Sequence, residues 1–281
     1  MQKEKLDIVL NNKNISDKAK QAVLALFKES DKIQFGKIGP RLEGYIYTGV
    51  GFPRATAVLQ MDGSRAAALL EWAKREVVED AKERLKFELH KNGYLTNSLI
   101  DNILDMALES PDKQRDSAAH QGSGVHDNIE KMLNGLPYVA DEPTMLFKGI
   151  WEKEGLELIC TELPVVYRAG NGHGFGGKLD VLAYKDDEFV ILDNKTSRSV
   201  HGSYALQTSA YSKAVEQMTG GLIKISRIGI VHLPNLSELK EWQMKLHKKM
   251  GNFIECHNID EAFNHFMLLL EQYYKRNNKY F

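Results

Sequence analysis

The apolar positions of this chain follow a helical period over its first half and a strand-like period after about residue 155. Ser16 opens an amphipathic run, DKAKQAVLALFKESD, with Ala, Val, Leu and Phe at helical spacing, which predicts a capped helix. Residues 44–60, GYIYTGVGFPRATAVLQ, are rich in β-branched and aromatic residues broken by Gly and Pro, and predict a short strand or hairpin with a turn at Pro53. A long helix is predicted from Ser64 to Lys91, stopped by Asn92-Gly93. A shorter one is capped by Thr96 and ends before Pro111. A third helix spans Asp112 to Asn134 with Gly135 as C-cap. It carries Gly122 and Gly124 inside, each costing about 1 kcal/mol relative to Ala, which points to a close approach of backbone or ligand there.

Beyond the changeover, LELICTELPVVYRA, GFGGKLDVLAY and EFVILDNKTS read as three strands separated by Gly/Asn and Asp-Asp-Glu turns. YALQTSAYSKAVEQMTG then reads as a helix, ISRIGIVHLP as a fourth strand and IDEAFNHFMLLLEQYYKR as a C-terminal helix. This order predicts an α/β fold with a mixed central sheet flanked by helices. Residues 1–110 are expected to form a mainly helical N-terminal region packed on a core of residues 111–281.

Composition narrows the class. With 281 residues, 43% hydrophobic and 27% charged, the chain has material for a buried core. It holds no apolar run long enough to span a bilayer. The N-terminal MQKEKLDIVLNNKN is charged, without a signal-peptide h-region, so a cytoplasmic location is expected and no membrane partner. The two cysteines, Cys160 and Cys256, are too few for a disulfide framework, an all-cysteine zinc site or a four-thiolate iron–sulfur cluster. Cys160 is expected to be a buried small hydrophobe. The 37 basic residues nearly balance the 38 acidic ones (net charge −1), which excludes a whole-molecule basic surface but not a local basic groove opposite an acidic site.

The candidate chemistry lies in residues 177–211. Asp180 closes Gly177-Lys178-Leu179-Asp180 on one predicted strand, and the next delivers Asp193-Asn194-Lys195 after a short turn. Two carboxylates brought side by side at one sheet end repel unless a cation lies between them, and Mg²⁺ suits one or two carboxylates plus phosphate oxygens. Lys195 lies two residues after Asp193 and so shares its sheet face. An ammonium beside the metal can orient or help deprotonate a water and offset charge on a phosphorane-like transition state. An acidic residue two before a lysine is commonplace; Asp80-Ala-Lys82 and Glu238-Leu-Lys240 also occur. Only this one ends an apolar strand, Phe189-Val190-Ile191-Leu192. Gln207 and Tyr211 share a face of the following helix, where they can grip a nucleotide backbone or satisfy each other as a buried pair. His126, on the helix before the sheet, can complete a metal shell, with Glu130 one turn later bonding the imidazole or a water.

In order and spacing, GSGVHDNIE, TELPVV, GFGGKLDVLAY, FVILDNKTS and YALQTSAY resemble the RecB-like branch of the PD-(D/E)XK nuclease superfamily. That pattern is G-x-x-x-H-x-x-x-E, a glutamate-bearing strand, G-x-x-D, [D/E]-x-K and Q-x-x-x-Y. The run GFPRATAVLQMDGSRAAALLEWA resembles the opening of phage exonucleases and of the mitochondrial genome maintenance exonuclease, so the similarity covers roughly residues 50–235, with Arg54-Ala55 replacing the usual Ser-Val. The resemblance implies a restriction-endonuclease-like αβββαβ core and metal-dependent DNA cleavage. His126, Asp180, Asp193 and the Asn194 carbonyl become metal ligands, Lys195 the catalytic lysine, and Gln207 and Tyr211 part of the DNA path. Glu162 takes the acidic strand position, and Arg54 and Thr56 touch phosphate or shape the strand entrance.

The expected function is a Mg²⁺-dependent DNA exonuclease, with Mn²⁺ as an alternative metal and no iron–sulfur cluster. It acts on single-stranded or end-accessible DNA in replication, recombination or repair, in a bacterial or phage-infected cell. Tyr211, Tyr204 and Trp72 are candidate stacking platforms. No G-x-x-x-x-G-K-[S/T] occurs, so unwinding would need a partner protein. The alternatives are an endonuclease or flap nuclease of the same fold, and a non-catalytic DNA-binding scaffold. The remaining landmarks read as structural: Lys245–Lys249 as a solvated helix face that can join a DNA track, Leu268-Leu269-Leu270 as core, and His173 as a loop residue.

Overall fold

The computed structural model describes residues 2–236, 241, 244–245 and 252–277, with side chains for all of these except 2–5 and 64–66. The chain divides into two compact units, residues 1–61 with 125–281, and residues 62–124. This differs from the expected division at 110/111, and the N-terminal region, though helical over most of its described residues, is not all helix. It contains β1 (Ile33–Gly39), β2 (Leu42–Tyr47) and β3 (Val50–Pro53), an antiparallel sheet in that order, preceded by α1 (Gln2–Asn11) and α2 (Asp17–Ser30) and followed by the short α3 (Ala55–Val58). Only β2 and β3 show in the sequence as a hairpin, turning on Thr48 (φ 49) and Gly49 (φ 81), both left-handed as a two-residue turn requires. β1 escaped because its alternation is polar: most of its residues are partly or fully exposed.

The second unit holds α4 (Gly63–Asn92), α5 (Asn97–Leu108) and the start of α6 (Ser110–Leu133). Their boundaries follow the predicted caps: the Thr96 hydroxyl accepts from the Leu99 amide, and Gly93 adopts φ 75 after α4.

In the first unit, β4 (Glu157–Arg168), β5 (Gly174–Lys185), β6 (Glu188–Lys195), β7 (Ile225–His232) and β8 (Phe253–Cys256) form one sheet in chain order. Only the β6–β7 pair is parallel, because α8 (Gly202–Met218) carries the chain between those two strands. β4 to β7 with α8 were legible. The edge strand β8 and α7 (Glu142–Glu154) were not, although Asp141 caps α7 by accepting from the Thr144 amide at 2.9 Å.

Helices cover both sheet faces. On one, α2, α8 and α9 (Ile259–Asn277) bury Leu26, Phe27, Ala210, Val215, Phe266 and Leu270 against Leu163, Leu179, Leu182 and Ile191. On the other, Val125 and Ile129 of α6 and Phe147 of α7 pack on Val181, Ala183, Val190 and Leu192. Each fully buried Val, Leu, Ile or Phe side chain among them contributes about 1.5–3 kcal/mol. Cys160 belongs to the first of these clusters. Leu269 and Leu270 are core as expected, whereas Leu268 is exposed at 59% because it falls off the buried stripe of α9. No described helix is long and apolar enough to cross a membrane.

Candidate metal centre

Four elements of the first unit deliver the predicted residues to one place. His126 comes from α6, whose alignment is tied to α7 because Asn128 Nδ2 donates to the capping carboxylate of Asp141 at 2.9 Å. Glu162 comes from β4, Asp180 from β5, and Asp193, Asn194 and Lys195 from the end of β6.

The sheet is irregular where these carboxylates lie. Residues two apart on a strand normally share a face. Leu179 nevertheless packs in one core cluster and Val181 in the other, so the alternation of β5 breaks at Asp180. On β4, Thr161 pairs with Val181 and Leu163 with Leu179, and Glu162 between them holds φ 55. A non-glycine residue with left-handed backbone inside a strand costs on the order of 1–3 kcal/mol and concentrates at functional sites. The result is that one ligand atom each from His126, Glu162 and Asp180 lies within 4.8 Å of the others. Sequence reasoning left Glu162 with an undefined role; its left-handed backbone is a tertiary feature that leaves no signature in the residue string.

The donor set fits a hard divalent cation. His126 Nε2 lies 3.1 Å from the Asn194 carbonyl oxygen, and Nδ1 lies 3.6 Å from Asp180 Oδ2, which also accepts from the Asn194 amide at 2.8 Å. A neutral imidazole has one N–H, so it can satisfy only one of these two oxygens. Two carboxylates, a carbonyl and an imidazole facing one another suit Mg²⁺ or Mn²⁺. Burial raises the Glu162 carboxyl above its ordinary value, with Asp180 adding to the effect and Lys178 opposing it.

Asp193 does not join that three-residue group. It is 1% exposed, and its Oδ2 lies 2.6 Å from Lys195 Nζ in an ion pair that lacks hydrogen-bond alignment. Asp193 Oδ1 and Asn194 Oδ1 are buried with no hydrogen-bond partner among the described residues. Orphaned buried carboxylate oxygen is costly and is a further reason to expect a cation nearby. Burial pushes the Asp193 carboxyl up to about 6; Lys195 pulls it down and Asp180 pushes it further up. For Lys195, burial favours the neutral amine, but the Asp193 and Asp180 carboxylates outweigh it and raise the ammonium above its usual value. Lys195 therefore stays protonated at neutral pH, 5.1 Å over the Tyr204 ring.

These shifts predict a pH dependence. A carboxyl whose value is higher folded than unfolded binds more protons in the native state between about pH 4 and pH 6, so its contribution to stability falls as pH rises through that window. Metal-free protein should lose this contribution on going from pH 4 to pH 6, and Asp193→Asn should lose less. Urea melts of the two proteins across the window measure the difference, and parallel curves would refute the assignment. A bound divalent cation should flatten it, because the cation favours the carboxylate.

The other predicted residues are placed as follows. Gln207 Nε2 donates to the Tyr211 hydroxyl at 3.2 Å, and both side chains are buried. They back the site as a satisfied pair rather than presenting an open surface. Burial and the Asp193 charge raise the Tyr211 phenol far above its usual value. Tyr204 donates to Ser197 Oγ at 2.9 Å. Glu130 accepts from the Thr161 hydroxyl at 3.1 Å, so it anchors α6 to β4. Arg54 and Thr56 are exposed, and the Arg54 backbone bridges Gly176 of β5. Trp72 belongs to the second unit. Gly124 has no neighbour among the described residues within 4 Å of where a Cβ would stand, so no backbone closes on it there. His173 stacks on Tyr274 with centroids 4.0 Å apart. Lys245 pairs with Glu241 at 2.7 Å; residues 246–249 of the predicted basic face lie outside the described residues.

Lys178 was missed as a site residue. It pairs with Glu162 while half exposed. The available signal was a lone cation between two glycines and an apolar strand, in Gly176-Gly177-Lys178-Leu179. No protein-family model matches the chain, and no curated protein matches it.

Proposed function

We propose that the chain is a metal-dependent deoxyribonuclease with a restriction-endonuclease-like αβββαβ core, acting as an exonuclease on single-stranded or end-accessible DNA. The observation that carries this reading is the convergence of His126, Glu162 and Asp180 beside the buried Asp193–Lys195 pair, in the order of motifs that the RecB-like nucleases share. His126, Glu162, Asp180 and the Asn194 carbonyl would hold Mg²⁺ or Mn²⁺, with Asp193 alongside. The cation supplies Lewis acidity to a phosphate ester and acidifies water.

The chain's own groups do the rest. Lys195, held protonated by two carboxylates, is a fixed positive charge that stabilises negative charge as it develops on phosphate, and it can orient an attacking water. Asp193 keeps that ammonium in place at 2.6 Å, and Tyr204 limits its movement from the ring side. Asp180 accepts the Asn194 amide, which fixes the Asn194 carbonyl toward His126.

End-labelled linear and covalently closed circular single-stranded DNA, each incubated with Mg²⁺ or with EDTA, test the proposal. Linear DNA should be degraded with Mg²⁺ and spared in EDTA, and the circle should survive. Linearised circles would reassign the chain as an endonuclease. Absence of metal-dependent cleavage on linear, circular and flapped substrates alike would leave a DNA-binding scaffold and sink the nuclease.

A further inference from the structure

We infer that the β1–β2–β3 sheet carries an aromatic and cationic platform that seats single-stranded DNA beside the candidate metal centre; this rests on the reading that the chain acts on DNA. Phe35 of β1 lies opposite Tyr45 of β2, and Tyr45 opposite Phe52 of β3, so three rings form one cross-strand row. Their exposure rises along the row: Phe52 is buried, Tyr45 is partly buried and Phe35 is 55% exposed. The row advances along β5. A Cβ on Gly174 would stand 2.7 Å from the Phe52 ring, and one on Gly176 would stand 2.5 Å from the Tyr45 ring. At the same two-residue spacing, the next position on β5 is Lys178, the partner of Glu162.

Charge follows the same path. Tyr45 is close enough to Lys178, Arg54 and Glu162 to feel all three charges. Lys37, two residues after Phe35 on β1, shares its sheet face and is exposed. Phe35 meets Tyr45 at 68° with centroids 5.4 Å apart, an edge contact that leaves much of the Phe35 ring in solvent. A single exposed aromatic is ordinary. An exposed ring that ends a packed aromatic row, flanked by lysine and arginine and continuous with a carboxylate–imidazole cluster, matches the alternation of stacking faces and phosphate-binding cations used for single strands. Duplex DNA offers no unpaired base to stack on Phe35, so the platform selects single strands or frayed ends.

Binding of labelled oligo(dT) and of a blunt duplex, measured by fluorescence anisotropy in EDTA, tests this. Phe35→Ala should weaken oligo(dT) binding roughly 5- to 150-fold and leave duplex binding unchanged, and Phe35→Trp should restore it. Lys37→Ala should reduce the slope of log affinity against log salt by about 0.7. Phe35 is exposed enough that thermal melts of these variants should overlay the parent. Equal oligo(dT) affinity for the parent and Phe35→Ala overturns the platform, as does no binding by the parent. Tighter binding of oligo(rU) overturns its assignment to DNA. Cleavage is read separately. If Phe35→Ala leaves binding intact while Mg²⁺ still degrades linear DNA, the platform fails and the nuclease stands. If oligo(dT) binding depends on Phe35 yet no metal supports cleavage, the nuclease fails and the platform stands.

Discussion

Lys195→Ala is expected to reduce Mg²⁺-dependent cleavage of linear DNA by at least about 10²–10³-fold, the scale seen when one transition-state charge donor is removed. It should also destabilise the metal-free protein at neutral pH. Among the described residues the Lys195 ammonium is the charged partner within ion-pair distance of Asp193, whose carboxylate is 1% exposed. Removing one member of a buried pair costs roughly 3–5 kcal/mol because the other is left charged and desolvated. Asp193 limits that loss by taking up a proton, so the stability deficit should shrink as pH falls toward 6. Stability and catalysis are separated by a second change. Asp193→Asn on the Lys195→Ala background should recover most of the stability, since a neutral amide needs no counter-charge, and none of the cleavage. Denaturant melts and a labelled-DNA time course on all four proteins decide the matter. Full activity in Lys195→Ala would end the assignment of a catalytic role.

Gly177→Ala is expected to be among the most damaging single-methyl changes in the molecule. The added Cβ would overlap the Tyr211 ring, standing 2.6 Å from Cζ and 2.8 Å from the hydroxyl oxygen. That ring cannot swing away, because it is buried, packs in the main core cluster and accepts from Gln207. Over-packing typically costs 1–3 kcal/mol, and a contact this short against an aromatic ring belongs at or above the top of that range, about 3 kcal/mol. Relief is specific: Gly177→Ala combined with Tyr211→Leu should be more stable than Gly177→Ala alone, a positive coupling that a double-mutant cycle measures. Additive effects would show that the ring is not the obstacle. Because Asp180 lies three residues along the same strand, any shift that accommodates the methyl group also disturbs the ligand cluster, and metal affinity should fall with stability.

The GFGG run illustrates how sequence and tertiary structure divide the information. Read alone, GFGGKLDVLAY shows a strand but gives no reason for its three glycines. In the fold, Gly174, Gly176 and Gly177 lie within β5 and make room for Phe52, Tyr45 and Tyr211 respectively. Two of those rings come from more than a hundred residues upstream, so no local pattern could have named them. Likewise α7 was hidden because Gly149 interrupts its helical pattern, while the Asp141 cap, Pro143 in the first turn and the burial of Phe147 secure it. The three-stranded sheet was half legible, through the hairpin of β2 and β3 and not through the exposed β1.

What the residue string determined by itself is whatever depends on neighbours close in sequence. Helix caps at Ser16 and Thr96, the strand spans of β4 to β7, the i, i+4 pairing of Gln207 with Tyr211, and the placing of Lys195 on the face of Asp193 all follow from local periodicity and short hydrogen bonds. Tertiary structure decided which carboxylates meet. The broken alternation at Asp180 and the left-handed backbone of Glu162 turn that glutamate toward His126 and Asp180, while Asp193 turns to Lys195. That choice is made by packing between two sheet faces and by the mutual repulsion of buried charges, quantities that exist only once the chain has closed on itself.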